Sequence, residues 1–463
     1  GENLQGAVGM RIGLFTDTYS PSINGIVYVI DITKKHLEDL GHEVYVFCPA
    51  DGVSPAKVSE DEDRGILRFP SVKGAFYDDY NFSLFFPPWT MRKIRELDLD
   101  IVHIFTPGQV GILGINAAYK TGATLVTQHS TDIYEYVRHY PGVLPGLLML
   151  LPLTPFATKF HGRDLKELIK LYIPRRGVTQ WNQDIIEAMI TIMYSRCDVV
   201  IALSQKSKKQ LEGWAEGEEY NYPIELLPTG VDALPAATEN STGAFRDKYG
   251  FDVDDQIVTY VGRLGAEKNL DSLIPMIEKV LQSRPKAKLL YVGDFEYRAT
   301  LEKLASQSPA SDRIVFTGAL PRETLGTIYG ASSVFVFPSM TDTQGLVLHE
   351  AALAGLPIVL TDSGVSEVVH DGENGYFANS DPQSIAEKVV TILSDDALRQ
   401  EFSKASIQIA SKFTEKEQTR KLDQLYKKAV SEHTEKRRTA MQRLYKQLLG
   451  IRRKLADKIG ADE

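Results

Sequence analysis

Cysteine is nearly missing from this chain: among 463 residues there are two, Cys48 and Cys197. Each lies in an apolar run, which fits buried, reduced thiols in a reducing compartment better than a disulfide. No apolar run reaches the length of about 18 residues that a membrane-spanning helix needs. The longest greasy stretch, 143–156, is short and is interrupted by Pro145, Pro152 and Pro155. Basic residues are outnumbered, 52 against 61 acidic, for a formal charge of −9, which argues against a dedicated nucleic-acid binder. No His/Cys cluster has metal-ligand spacing. The GxGxxG fingerprint, the P-loop and the G-x-S-x-G elbow are missing as well, which removes support for hydride transfer and for serine hydrolysis. Residues 1–9 precede the first strand-like run at Met10 and read as a remnant to be set aside, with no signal peptide after them.

What is present is a globular chain, 43% apolar and 24% charged, long enough for two or three domains. Short β-rich runs at 11–15, 43–47, 101–105, 124–127 and 198–203 alternate with helical stretches, the first at 26–40 and closed by Gly41. Runs such as "DIVHIF" and "CDVVIAL" are apolar almost throughout, as strands covered on both faces must be. That alternation predicts a parallel α/β sheet. Residues 232–247, small and polar with a proline, read as a linker. Beyond it the alternation restarts at 257–261, 289–292, 314–317, 334–337 and 358–360, and the chain ends in a charged, helix-prone stretch from about 415 to 458. In open α/β sheets ligands bind beyond the carboxyl ends of the strands, so the residues just after each strand matter most.

After the first strand, "TDTYSPSINGIVYVI" sets Pro21 and Gly25 in a turn before a helix. N–H groups at Gly25 and Ile26 would suit an anion there, although any strand-to-helix turn can use a glycine. His129, in "TQHSTDIYEY", follows the fourth strand; it is either a cleft residue or a surface histidine. "YVGRLGAEKNLDSLI" places Arg263 and Lys268 after a buried strand, where a guanidinium fork and a flexible ammonium suit a diphosphate leaving group. The bland reading is two solvated basic residues.

The richest segment is "VFVFPSMTDTQGLVLHEAALAGLPIVLTDSGVSEVV". Here Asp342 sits in a polar loop, Gly345 opens a helix, and Glu350 lies inside it. N–H groups around Gln344, Gly345 and Leu346 offer an anion site. Carboxylates on either side would take two sets of sugar hydroxyls, a hexose's and a ribose's; a capping Asp with a surface Glu is the alternative. Asp98-Leu-Asp100 looks like a metal-binding DxD but precedes its strand, the wrong end for a ligand, and reads as a loop.

Together these segments resemble the retaining glycosyltransferases of family 4 (GT4), which have the GT-B fold. The resemblance runs from about Met10 to Phe413 and is strongest in "YVGRLGAEKNL", "VFTGALPRETL" and "TDTQGLVLHEAALAGLPIVLTDSGVSEVVHDGENGYF". It implies an α/β chain of two facing Rossmann-like domains, with a last helix crossing back to the first. The expected division is an acceptor domain at 10–231, a linker at 232–247, a donor domain at 248–412, and a crossing helix with a basic amphipathic tail at 413–463.

By the same resemblance, Arg263 and Lys268 hold the donor diphosphate, Glu350 the ribose and Asp342 the transferred sugar. Gly25 lets its loop approach donor phosphate, His129 lies beside the reacting carbon, and the backbone at Gly318–Leu320 meets the base. It implies transfer of a hexose with retention from a nucleotide sugar, UDP-linked, with no cofactor and no catalytic metal. The opening and "TDTQGL" look most like bacterial synthases that glycosylate diacylglycerol or glycosyl-diacylglycerol. Phosphatidylinositol, a polysaccharide or a soluble acceptor is the alternative; a nucleotide-sugar epimerase and an inactive sugar-nucleotide-binding module stand further off.

Three positions depart from the family pattern: Asp342 for the usual Glu, Asn24-Gly25 for a frequent Gly pair, and Thr229 for the usual Asn. The basic segment 143–176 and the tail predict peripheral attachment to an anionic membrane on its cytoplasmic face, with no nucleic-acid partner.

Overall fold

The computed structural model describes residues 9–20, 24–50, 65–69, 71–73, 81–83, 88–130, 178–215 and 221–459. Seven strands make the first sheet: β1 (Arg11–Phe15), β2 (Glu43–Pro49), β3 (Ile66–Phe69), β6 (Ile101–Ile104), β7 (Thr124–Gln128), β8 (Val199–Ala202) and β9 (Ile224–Leu226). A short antiparallel pair, β4 (Ser71–Lys73) and β5 (Asn81–Ser83), stands apart. The second sheet holds β10 (Gln256–Val261), β11 (Ala287–Val292), β12 (Ile314–Gly318), β13 (Val334–Phe337), β14 (Ile358–Leu360) and β15 (Gly375–Phe377).

Both large sheets are parallel, and their central strands are buried on both faces as the apolar runs require. Helices α1 (Gly25–Asp39), α2 (Pro88–Leu97), α3 (Gln109–Thr121), α4 (Val178–Tyr194) and α5 (Gln205–Trp214) belong to the first domain. The second has α6 (Glu239–Tyr249), α7 (Leu273–Leu281), α8 (Arg298–Gln307), α9 (Leu325–Ala331), α10 (Leu346–Leu353), α11 (Pro382–Leu393) and α12 (Asp396–Ala410). This is the two-domain, Rossmann-like arrangement expected. Cys48 and Cys197 are both buried, and neither is in a disulfide.

The second half of the expected linker is helical, because Thr238 and Ser241 form a reciprocal capping box that starts α6. β3, β9 and β15 were not anticipated; each is an edge strand of three or four residues, too short to carry a period. Helix α13 (Glu415–Ile459) crosses back onto the first domain, where Leu422, Tyr426 and Ala429 join the core of Ile12, Leu14, Val27 and Ile30. His42 and Asp423 pair at 2.8 Å along that seam, and His433 and Asp198 at 2.9 Å.

Strand order decides where ligands go. The first sheet runs β3-β2-β1-β6-β7-β8-β9 and the second β12-β11-β10-β13-β14-β15. The direction of winding reverses between β1 and β6, and again between β10 and β13. The crevices at those reversals open at the carboxyl ends of the strands, next to Gly25 in one domain and to Arg263 and Asp342 in the other.

Candidate active site

The donor-side cluster begins where β10 ends. Gly262 has φ +152°, and a Cβ there would lie 2.7 Å from the Tyr260 hydroxyl, so the turn needs glycine. The next residue, Arg263, donates to Glu267 Oε1 at 2.5 Å, and its guanidinium lies 4.6 Å from the Phe295 ring centroid. A short 3₁₀ turn, Ala266–Lys268, then directs Lys268 Nζ to Asp342 Oδ1 at 2.8 Å. On the Asp342 carboxylate, Oδ2 accepts from Ser339 Oγ at 2.5 Å. Burial alone would raise the Asp342 carboxyl, but the Lys268 charge and these hydrogen bonds outweigh it and hold the group below its usual range.

Glu350 answers differently. It accepts from Arg322 Nε at 2.8 Å and from the Tyr329 hydroxyl at 3.1 Å, yet burial prevails and pushes its carboxyl up. Between the two acids lies the start of α10, whose N-cap, Gly345, makes no side-chain capping bond. Its first N–H groups therefore lack carbonyl partners from the helix itself, with a positive dipole end behind them. The arrangement is a helix terminus suited to an anion, flanked by one carboxylate held below its usual range and one tied to an arginine.

Across the cleft, Gly25 at the start of α1 faces Leu346, the first residue of α10. A Cβ on it would touch nothing nearer than Leu346 Cδ1, at 3.9 Å. The expectation of a free N–H at Ile26 is corrected: Asn24 Oδ1 caps α1 and accepts from Ile26 and Val27, both at 3.1 Å. Asp17, just past β1, went unnoticed in the sequence; it is buried and accepts from Thr106 Oγ1 at 2.6 Å, Gly108 N at 2.9 Å and Val110 N at 2.7 Å. It thereby caps α3 and fixes the loop beside the crevice.

His129 is buried rather than on the surface, at 1% exposure. Its Nδ1 is 2.9 Å from the Tyr194 hydroxyl, and the rings of Tyr194 and Trp214 stand edge-on to it. Gly318 ends β12 with φ +77°, where a Cβ would come 2.9 Å from Arg298, and Leu320 packs on the donor-domain core.

Gln344 was expected to present its backbone to an anion; its side chain has a task of its own. Gln344 Oε1 accepts from Thr229 N at 2.9 Å while Nε2 donates to Thr229 O at 3.0 Å, tying the donor loop to the chain entering the linker. Sequence reasoning also missed Ser339, Arg322, Lys206 and Asp362. Lys206 lies just after β8, at a strand end, and that position was the available signal. Asp98 and Asp100 sit at the opposite end of the sheet, bonded to Arg11. Among the described residues, two groups bring acidic or histidine ligand atoms within 4.8 Å of one another, His36/Asp232/Glu415 and Asp252/Asp254/Asp255, and neither includes a crevice residue named above.

Residues 23–233 match the family model described as Glycosyltransferase Family 4, and residues 241–409 that described as glycosyl transferases group 1. The alpha-monoglucosyldiacylglycerol synthase of Acholeplasma laidlawii is 28% identical over 389 residues, covering 81% of this chain and 86% of that protein. A sulfoquinovosyl transferase of Arabidopsis thaliana is 26% identical over 399 residues, covering 84% and 67%. In fold, sucrose-phosphate synthase of Thermosynechococcus elongatus superposes with a TM-score of 0.63 at 19% identity, over 91% of this chain and 99% of that one. The Anabaena protein HepE, crystallised with UDP and glucose, gives 0.62 at 17% identity, over 90% and 100%. With both of its domains matched, the chain belongs to family 4 of the glycosyltransferases, has the GT-B fold, and stands close to the glycolipid synthases of that family.

Proposed function

We propose that this protein transfers a hexose from a nucleotide diphosphate sugar, UDP-linked, to a membrane lipid such as diacylglycerol or glycosyl-diacylglycerol, with retention at the anomeric carbon. The observation that carries the reading is the α10 N-terminus set between Asp342 and Glu350, with Arg263 and Lys268 beside it. In this reading the diphosphate takes the helix N–H groups and the two cations, Asp342 takes a sugar hydroxyl, and Glu350 takes the ribose. The acceptor oxygen bonds to the anomeric carbon as the bond to phosphate breaks on the same face. The leaving phosphate oxygen receives the acceptor's proton. Developing charge on that phosphate is what the preorganised cations stabilise. The lipid acceptor is supported by the relative named above as an alpha-monoglucosyldiacylglycerol synthase.

A panel of UDP- and GDP-sugars against diacylglycerol, glucosyl-diacylglycerol and phosphatidylinositol, read by mass spectrometry, tests donor and acceptor together. Nuclear magnetic resonance of the product tests retention. A glycolipid formed from a UDP-hexose, with the donor's anomeric configuration, is expected. Donor isomerised with no acceptor added would favour an epimerase instead. Activity is also expected to persist in excess chelator, since Arg263 and Lys268 supply the cationic charge at the leaving group. Loss that magnesium or manganese restores would contradict this.

Attachment to an anionic membrane, on its cytoplasmic face, belongs to the same proposal. No helix among the described residues is long and apolar enough to cross a bilayer. Helix α13 continues unbroken through Gly450 to Ile459, which supports the helical spacing of Met441, Leu444, Leu448, Ile451, Leu455 and Ile459. Met441 is 67% exposed at the start of that stripe. Arg443, Lys446, Arg452, Arg453, Lys454 and Lys458 accompany it. Each basic residue near an anionic surface contributes roughly 1 kcal/mol, so the tail can bind despite the overall negative charge. The other basic segment, 143–176, lies outside the described residues. Cosedimentation with anionic vesicles, lost at high salt and with neutral lipid, is the expected result. Truncation after His433 is expected to abolish it; retention would move the contact to 143–176.

A further inference from the structure

The loop that carries Asp342 is held from both domains. Its carboxylate is fixed within the donor domain, by Lys268 and Ser339. Its backbone is fixed from the acceptor domain. Lys206, in the first turn of α5, directs Nζ to the carbonyl of Met340 and, at 3.3 Å, to that of Asp342 itself. The same ammonium pairs with Asp362 Oδ2 at 2.7 Å, in the loop after β14. Ser207 Oγ donates to Thr343 O at 3.4 Å, and Thr343 Oγ1 donates to Ser130 O at 2.9 Å, one residue beyond His129. The backbones also touch: Lys206 N donates to Gly364 O at 2.9 Å, and a Cβ on Gly364 would come 3.2 Å from Lys206.

We propose that Lys206 is a positioning residue that makes the placement of Asp342 depend on contact between the two domains, so that sugar transfer, but not donor binding, requires it. This rests on the transferase reading above. Arg263, Lys268 and Glu350 all belong to the donor domain and can hold a nucleotide without the acceptor domain's help. The carbonyls of Met340 and Asp342 gain their cationic partner from the other domain. When the domains part, both carbonyls turn to water and the loop loses that anchor. A displacement of about 1 Å at a reacting group can cost on the order of 100-fold in rate. The device would restrict turnover to the closed pair of domains, where the sugar is shielded from water.

The test compares Lys206→Met and Lys206→Cys with the unmodified enzyme, using the donor and acceptor that the panel identifies. Lys206→Met is expected to lower kcat about 10- to 100-fold while KM for the donor and calorimetric binding of UDP stay within about threefold. Alkylating Lys206→Cys with 2-bromoethylamine restores an ammonium at nearly the native reach. It is expected to recover much of the lost kcat, and both native cysteines are buried and spared. Unchanged kcat, a rise in donor KM that accounts for the loss, or a folded alkylated enzyme without recovery would each overturn the proposal. If the unmodified enzyme transfers no sugar, the functional reading fails, and that outcome is separate from these.

Discussion

Asp342→Ala is expected to lower turnover at least about 100-fold while the protein remains folded, the scale of losing one preorganised charged contact. The carboxylate lies in a loop after β13, outside the hydrophobic core, and it is held ionised by Lys268 at 2.8 Å. Its removal takes away the proposed sugar contact and releases Lys268, so donor orientation suffers together with charge. Asp342→Glu restores the family's usual residue but adds a methylene to a group already bonded on both oxygens. It is expected to keep more activity than alanine and to change the order of preference among donor sugars. Arg263→Ala should match the loss, but it also strips the buried Glu267 carboxylate of a 2.5 Å partner, so its circular dichroism must be checked first. Steady-state kinetics on folded protein decides the matter. Near-normal turnover in Asp342→Ala would remove that residue from the reaction.

The largest effect on stability is expected away from the cleft, at Tyr426. This ring on α13 is fully buried on the acceptor-domain sheet, edge-on to His103 at 5.8 Å between centroids, with its hydroxyl 2.6 Å from His103 Nδ1. Tyr426→Ala should cost about 3–5 kcal/mol by leaving a large cavity. Tyr426→Phe, which strands only the buried imidazole nitrogen, should cost about 1–3 kcal/mol. Urea unfolding of both variants, followed by circular dichroism and tryptophan fluorescence, measures the difference in the first transition. Equal midpoints for alanine and unmodified protein would mean that the crossing helix does not fasten the acceptor domain.

Burial pushes the His103 imidazole down to about 3, whereas an unfolded histidine titrates near 6.5. The unfolded chain thus takes up a proton that the native one refuses. The stability from His103's neutrality is whole above pH of about 6.5 and drains away as pH falls from there toward 3. The midpoint should therefore drop on acidification across that window.

The apolar strands and their alternation with helices were legible in the sequence because burial on both faces leaves a local mark: "DIVHIF" and "CDVVIAL" can be nothing but interior. The strand-end positions of Arg263, Lys268 and Asp342 were legible for the same reason, since each follows such a run. Glu350 was singled out by the family motif, its spacing to Asp342 leaving a surface residue open. The partners of these residues were not. Arg322 reaches Glu350 from across the domain, Gln344 turns to Thr229, and Lys206 reaches the Asp342 loop from the other domain. A strand's burial depends on neighbours within a few residues, so a window of sequence contains its cause. An ion pair or a backbone grip between loops far apart in the chain depends on how sheets and domains pack. That is why the sequence alone determined where the candidate residues gather, and the tertiary structure alone decided which side chains hold them in place.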